Sequence, residues 1–128
     1  MELRQSRVAD KAWQCIVDTQ KKEFFKEYGT RTQDFPAMLL RSGLAQSLGF
    51  LRAKKGSGTN LEKAYEAYSR HIFEIVKVAG FASIDADVFY NNVLKCELTE
   101  YRYISQLVMD AAIWLKRLYE GAKDQTDE

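Results

Sequence analysis

The 128-residue chain is 46% hydrophobic and 29% charged with a formal net charge of +1, which reads as globular rather than disordered and fits one folded domain. No apolar run approaches the roughly 18 residues of a membrane span, and the opening MELRQSRVADKAW has no signal-peptide core, so a cytoplasmic protein without a membrane partner is expected. The small net charge conceals an asymmetry: residues 1–55 hold 11 Lys/Arg against 6 Asp/Glu, and residues 56–128 hold 8 against 12.

Residues 3–28 form the first expected helix, with Val8, Ala12, Cys15 and Ile16 on one stripe and Trp13 at its flank. Thr30 to Ser42 is a short second helix in which Pro36 is tolerated because it falls near the first turn. Leu44 to Lys55 follows after a break at Gly43. The loop KKGSGTN leads into Thr59 and Glu62, a capping box in sequence, which opens a helix to about Ala79. FEIVKV is rich in β-branched residues but lies within that helical period. The loop GFASIDAD separates it from a short helix, about Asp87 to Lys95. Thr99 then caps a long last helix to about Glu120, apolar over so wide an arc that it belongs at the centre of the core. The result is an all-α, compact bundle of about six helices with a long central C-terminal helix. A single helical domain spans residues 1–120, and residues 121–128 form a polar, acidic, frayed tail.

Glycines mark most of these joints. Gly29, Gly43, Gly56, Gly80 and Gly121 each follow a helix-like segment, where a left-handed cap is expected, and Gly58 shares a loop with Gly56. Gly49 alone sits inside a helix, where glycine costs about 1 kcal/mol against alanine. In helical phase it shares a face with Ser42, Ala45 and Arg52, a strip of small residues that admits close approach by another backbone. That approach is made either by another helix of the same chain or by a partner.

The chemistry-bearing residues are sparse. The single histidine, His71, has nothing convergent around it and reads as a surface or half-buried helical residue. Cys15 and Cys96 lie apart and read as reduced, buried small residues. No metal site and no cofactor are expected. KKGSGTN has its lysines before its glycines and follows a helix, unlike a phosphate-cradling loop. Aspartates and glutamates are spread singly. These features point away from an enzyme. The basic residues offer more. Lys21, Lys22 and Lys26 end the first expected helix, where cations suit the helix dipole. Arg31, Arg41, Arg52, Lys54 and Lys55 follow within a few turns, and Arg and Lys supply most phosphate contacts.

The segment YGTRTQDFPAMLLRSGLAQSLGFLRAK resembles the small α-helical subunit of the type III-B CRISPR effector, the Cmr complex. Tyr28-Gly29, Pro36, Arg41, Gly43-Leu44-Ala45-Gln46, Leu48, Phe50-Leu51 and Lys54 carry the likeness. Glu100-Tyr101-Arg102 and Trp114-Leu115-Lys116-Arg117 match the ending of the same family, whereas residues 56–98 match only in length and helicity. The resemblance implies a non-catalytic structural subunit of an RNA-guided antiviral ribonucleoprotein. Its partners would be the large polymerase-like subunit, the backbone RAMP subunits, further copies of itself in a minor filament, and the crRNA–target RNA duplex. Lys22, Lys26, Arg31, Arg41, Arg52, Lys54 and Lys55 become candidate RNA contacts. Ser42, Ala45, Gln46 and Gly49 become a candidate subunit interface. The basic and acidic halves also suit head-to-tail stacking. The alternative is a helical adaptor that binds protein and no nucleic acid.

Overall fold

The computed structural model describes residues 4–81 and 85–126. The middle of the GFASIDAD loop (residues 82–84) and the extreme ends (1–3 and 127–128) lie outside the described residues. Among the described residues there are five helices: α1 (Arg4–Gln20), α2 (Phe25–Lys54), α3 (Asn60–Val78), α4 (Ala86–Lys95) and α5 (Leu98–Thr126). No strand occurs among the described residues.

The layering follows from apolar stripes. Val8, Ala12, Cys15 and Ile16 bury one face of α1, while Trp13 at the flank stays 44% exposed. α5 contributes Ile104, Val108, Ala111, Ala112 and Leu115, all fully buried, and it touches α1, α2 and α3. A helix apolar over so wide an arc has to sit centrally, because no single neighbour could cover it. α3 packs chiefly on α2, with α4 as a short brace against both.

The expected first helix is in fact two. α1 stops at Gln20, and residues 21–24 form a turn in which the Lys22 amide donates to the Thr19 carbonyl at 2.9 Å. The Thr19 hydroxyl donates back to the Cys15 carbonyl at 2.8 Å, a bond that competes with the helix ladder. The turn lets Phe24 and Phe25 pack on the core and Tyr28 bury fully. As a consequence Pro36 lies well inside α2 rather than in a first turn, where it leaves the Thr32 carbonyl without its ladder donor. Burial of Phe35 and Leu39 on either side offsets that loss.

α2 is continuous only in name. Gly43 has φ 80° and ψ 170°, extended backbone on the positive-φ side that is essentially confined to glycine, and not the left-handed cap expected there. Met38 and Phe50 line one cavity, yet a straight helix would hold twelve residues about 18 Å apart. The two halves of α2 therefore fold back on each other at Gly43. The second half starts with the Ala45 amide donating to the Tyr101 hydroxyl at 3.0 Å, which satisfies one of the orphan donors of a helix start. Counting this bend, the expected separation of Thr30–Ser42 from Leu44–Lys55 is correct.

Other joints vary in outcome. Thr59 and Glu62 form the capping box in full, and Gly80, at φ 111°, ends α3 with Phe81 donating back to the Val76 carbonyl. α4 is capped by Asp85, whose carboxylate accepts from the Val88 amide at 2.8 Å. Thr99 does not cap α5, which already begins at Leu98. Gly121 does not end it, since α5 runs on to Thr126 with Ala122 buried. Gly29 is no cap either. It lies inside α2, where a Cβ would meet the ring of Tyr119.

Candidate nucleic acid and subunit interface

The seven basic candidates divide by what they touch. Lys22, in the turn after α1, is exposed and shares a groove of mixed charge with Glu23 and with Lys63, Glu66 and Arg70 of α3, the last two paired with each other. Lys26 is exposed in the first turn of α2, not at the end of a helix as expected. A cation there opposes the helix dipole, a mismatch of about 0.3–1 kcal/mol, so local helix electrostatics do not explain it. Arg41, just before the bend, is exposed, as are Lys54 and Lys55 at the end of α2.

Arg31 and Arg52 are instead held by the chain. The guanidinium of Arg31 lies 4.5 Å from the centroid of the Tyr65 ring and donates to its hydroxyl. Arg52 donates to Asp87 at 2.6 Å and lies 4.6 Å over the Tyr90 ring. The same guanidinium holds the Asp87 carboxyl below its ordinary range. Both arginines tie α2 to a neighbouring helix. Lys54 sits 5.7 Å over the Phe50 ring, which packs edge-on to Tyr65 at 5.8 Å. Arg31, Tyr65, Phe50 and Lys54 therefore form one cation–aromatic run across the bend.

The strip of small residues is split in the same way. Ser42 and Gln46 are exposed. Ala45 is half-buried, with its amide bound to Tyr101. A Cβ at Gly49 would lie 2.9 Å from the Tyr90 hydroxyl, so the close neighbour of this glycine is α4 of the same chain. Of the two readings left open for that face, intramolecular packing accounts for Gly49.

His71 departs most from expectation. It is buried, and its Nδ1 shares a 2.7 Å hydrogen bond with the fully buried Tyr28 hydroxyl. Burial, with Arg70 and Lys11 adding to it, pushes the imidazole down to about 3. It is a neutral core residue, removed from any solvent-side acid–base role. Burial likewise pushes the Cys15 thiol up to about 12, far from a reactive thiolate. Cys96 is half-buried rather than buried, and both cysteines are free. Among the described residues no group of three or more His, Cys, Asp or Glu could hold a metal ion, and no helix is long and apolar enough to cross a membrane.

Tyr65, Asp87 and Tyr90 were not foreseen. Each acts by meeting an arginine from a distant segment, and residues 56–98 carry no spacing that announces such a contact. A Tyr in a helix stripe reads as core, and Asp87 reads as a helix-start residue.

A family model described as CRISPR-associated protein (Cas_Cmr5) matches residues 4–122. Among solved structures, the chain is similar to a crystal structure of a CRISPR-associated Cmr5 family protein from Thermus thermophilus. The two are 23% identical with a TM-score of 0.77, over 92% of this chain and 98% of that one, a likeness that speaks for the fold. No curated protein matches the chain.

Proposed function

The chain belongs to the CRISPR-associated Cmr5 family, and from that premise we propose that it serves in the cytoplasm as the small, non-catalytic helical subunit of a type III-B Cmr RNA-guided effector complex. In this reading copies of it stack as a minor filament beside the crRNA-bearing backbone subunits and help to hold target RNA in the pairing groove. The polymerase-like large subunit and the backbone subunits are its protein partners, met in part through the exposed Ser42 and Gln46.

The observation that carries the RNA part is the state of five cations. Lys22, Lys26, Arg41, Lys54 and Lys55 are exposed, and the ion pairs among the described residues, Lys11–Glu74, Arg52–Asp87 and Arg70–Glu66, leave them unpaired. Unpaired surface cations on one half of a chain suit phosphate contact. The buried, neutral His71 agrees with a scaffold rather than a catalyst.

The test uses the complex assembled with Arg41→Glu and Lys55→Glu together, which spares the Arg52 tether. Target RNA capture should weaken, and its log-log salt dependence should flatten by about one unit per lost phosphate contact. An unchanged slope would move these cations to a protein interface and favour the adaptor reading.

A further inference from the structure

The bend at Gly43 creates a cavity that a straight helix could not have. It is about 220 Å³ in volume and is lined by Arg31, Asp34 and Met38 from the first half of α2, Phe50 from the second, and Tyr65 from α3. We propose that this cavity is a pocket for one unpaired nucleobase of RNA, with a guanine-type edge. The proposal rests on the RNA-binding reading above and specifies where and how a base, as distinct from a phosphate, is held.

Four features carry it. The volume falls below the roughly 300–1,000 Å³ of sites for drug-sized ligands, so it suits a single ring system. The walls are aromatic and thioether surfaces, Phe50, Tyr65 and Met38, and unstacked RNA bases are held on aromatic side chains and guanidinium planes. The polar groups are one of each kind: Arg31 brings N–H donors, of which one is used on Tyr65 and Nε is buried without a partner, and Asp34 is an exposed carboxylate on the same cavity. A carboxylate would repel a phosphate. It accepts instead from the ring N–H and exocyclic amino group of guanine, while an arginine donates to the acceptors of the same base. Finally, Lys54 over the Phe50 ring places a cation beside the cavity for the phosphate that accompanies the base.

The experiment titrates the full chain at low salt with three fluorescent oligouridine octamers whose central residue is guanosine, inosine or abasic. Guanosine should bind about tenfold tighter than the abasic probe, the order expected for one stacked base. Inosine, without the exocyclic amino group, should fall between them. Asp34→Asn should erase the preference of guanosine over inosine, whatever it does to the affinity for the abasic probe. Phe50→Leu should remove the gain over the abasic probe. Equal affinity for the three probes, with steep salt dependence retained, would overturn the pocket and leave the phosphate reading standing. No RNA binding by the chain and none added by it to the assembled complex would overturn both. An Asp34→Asn chain that keeps its base preference but no longer enters the complex would make the cavity a receptor for a partner's side chain and end the proposal.

Discussion

Replacing Gly29 with alanine should destabilise this protein, although the same change in an ordinary helix interior stabilises it by about 1 kcal/mol. The reason is the ring of Tyr119. A Cβ at position 29 would lie 2.5 Å from Cε1 and closer still to Cζ and the hydroxyl, against a contact optimum of about 3.5–4.0 Å. The ring would have to retreat by at least ~1 Å. Tyr119 is buried and packs on Phe25 with centroids 4.9 Å apart, so retreat disturbs a pair worth about 0.5–1.5 kcal/mol beyond its area as well as the seating of the ring. Overpacking of this kind costs about 1–3 kcal/mol. After the propensity gain, a net loss of up to about 2 kcal/mol is expected, or as much as several degrees in Tm for a chain of this size. Urea denaturation followed by circular dichroism measures it, and Tyr119→Leu supplies the control. The alanine substitution should be harmless or favourable in that background, giving a coupling energy of about 1–3 kcal/mol. A Gly29→Ala protein that melts above the wild type, with no coupling to position 119, would refute the steric account.

Three further outcomes follow from the same geometry. Gly43→Ala should cost about 1–3 kcal/mol, because the backbone at φ 80° and ψ 170° is strained for any residue with a Cβ, and a melt no lower than wild type would mean that the bend relaxes. Gly49→Leu should overpack against Tyr90 and lift the stacked Arg52, lowering stability by about 1–3 kcal/mol; an unchanged melt would reopen that face as an external contact surface. The third is a pH effect. Below about 6.5 the unfolded chain protonates His71 while the folded chain, with the imidazole held near 3, does not. Stability from this group is thus complete above pH 6.5 and is lost as pH falls toward 3, by roughly 2–3 kcal/mol between 6.5 and 4.5. The difference in acid sensitivity between wild type and His71→Gln measures it, and parallel curves would refute it.

How much of this was legible in the sequence depends on the range of the interaction. Thr59 and Glu62 are three residues apart, and the capping box they make is a local fact. Gly43 is legible for the same reason, as a break in a periodic stripe. The stripe of α1 was readable, but its end was not. The 3.6-residue period of residues 3–28 continues through the turn, and the three-residue backbone bonds from Lys22 to Thr19 and from Phe25 to Lys22 show where it fails. Gly29 was expected as a cap and is a close-approach position instead, and the neighbour of Gly49 could not be named, because the partner rings, Tyr119 and Tyr90, lie 90 and 41 positions away. Of the basic candidates, Arg31 and Arg52 looked like the others until their tethers on α3 and α4 were in view. Lys26 carried a usable signal all along, but it could be read only once the helix boundary was known.

The last helix fastens the second one in two places: its Tyr101 caps the half that begins after the bend, and its Tyr119 lies over the bare backbone of Gly29. The segment after the bend, residues 44–54, is about three turns long, shorter than the roughly 12–15 residues at which an isolated helix becomes even marginal in water. During synthesis the amino-terminal residues emerge first, and for that interval both fastenings are missing. The folded shape of α2 therefore depends on residues far from it in sequence. Residues 25–54 are made before those of α5, so α3 can support them first, whereas the fastenings from Tyr101 and Tyr119 form only once α5 is present.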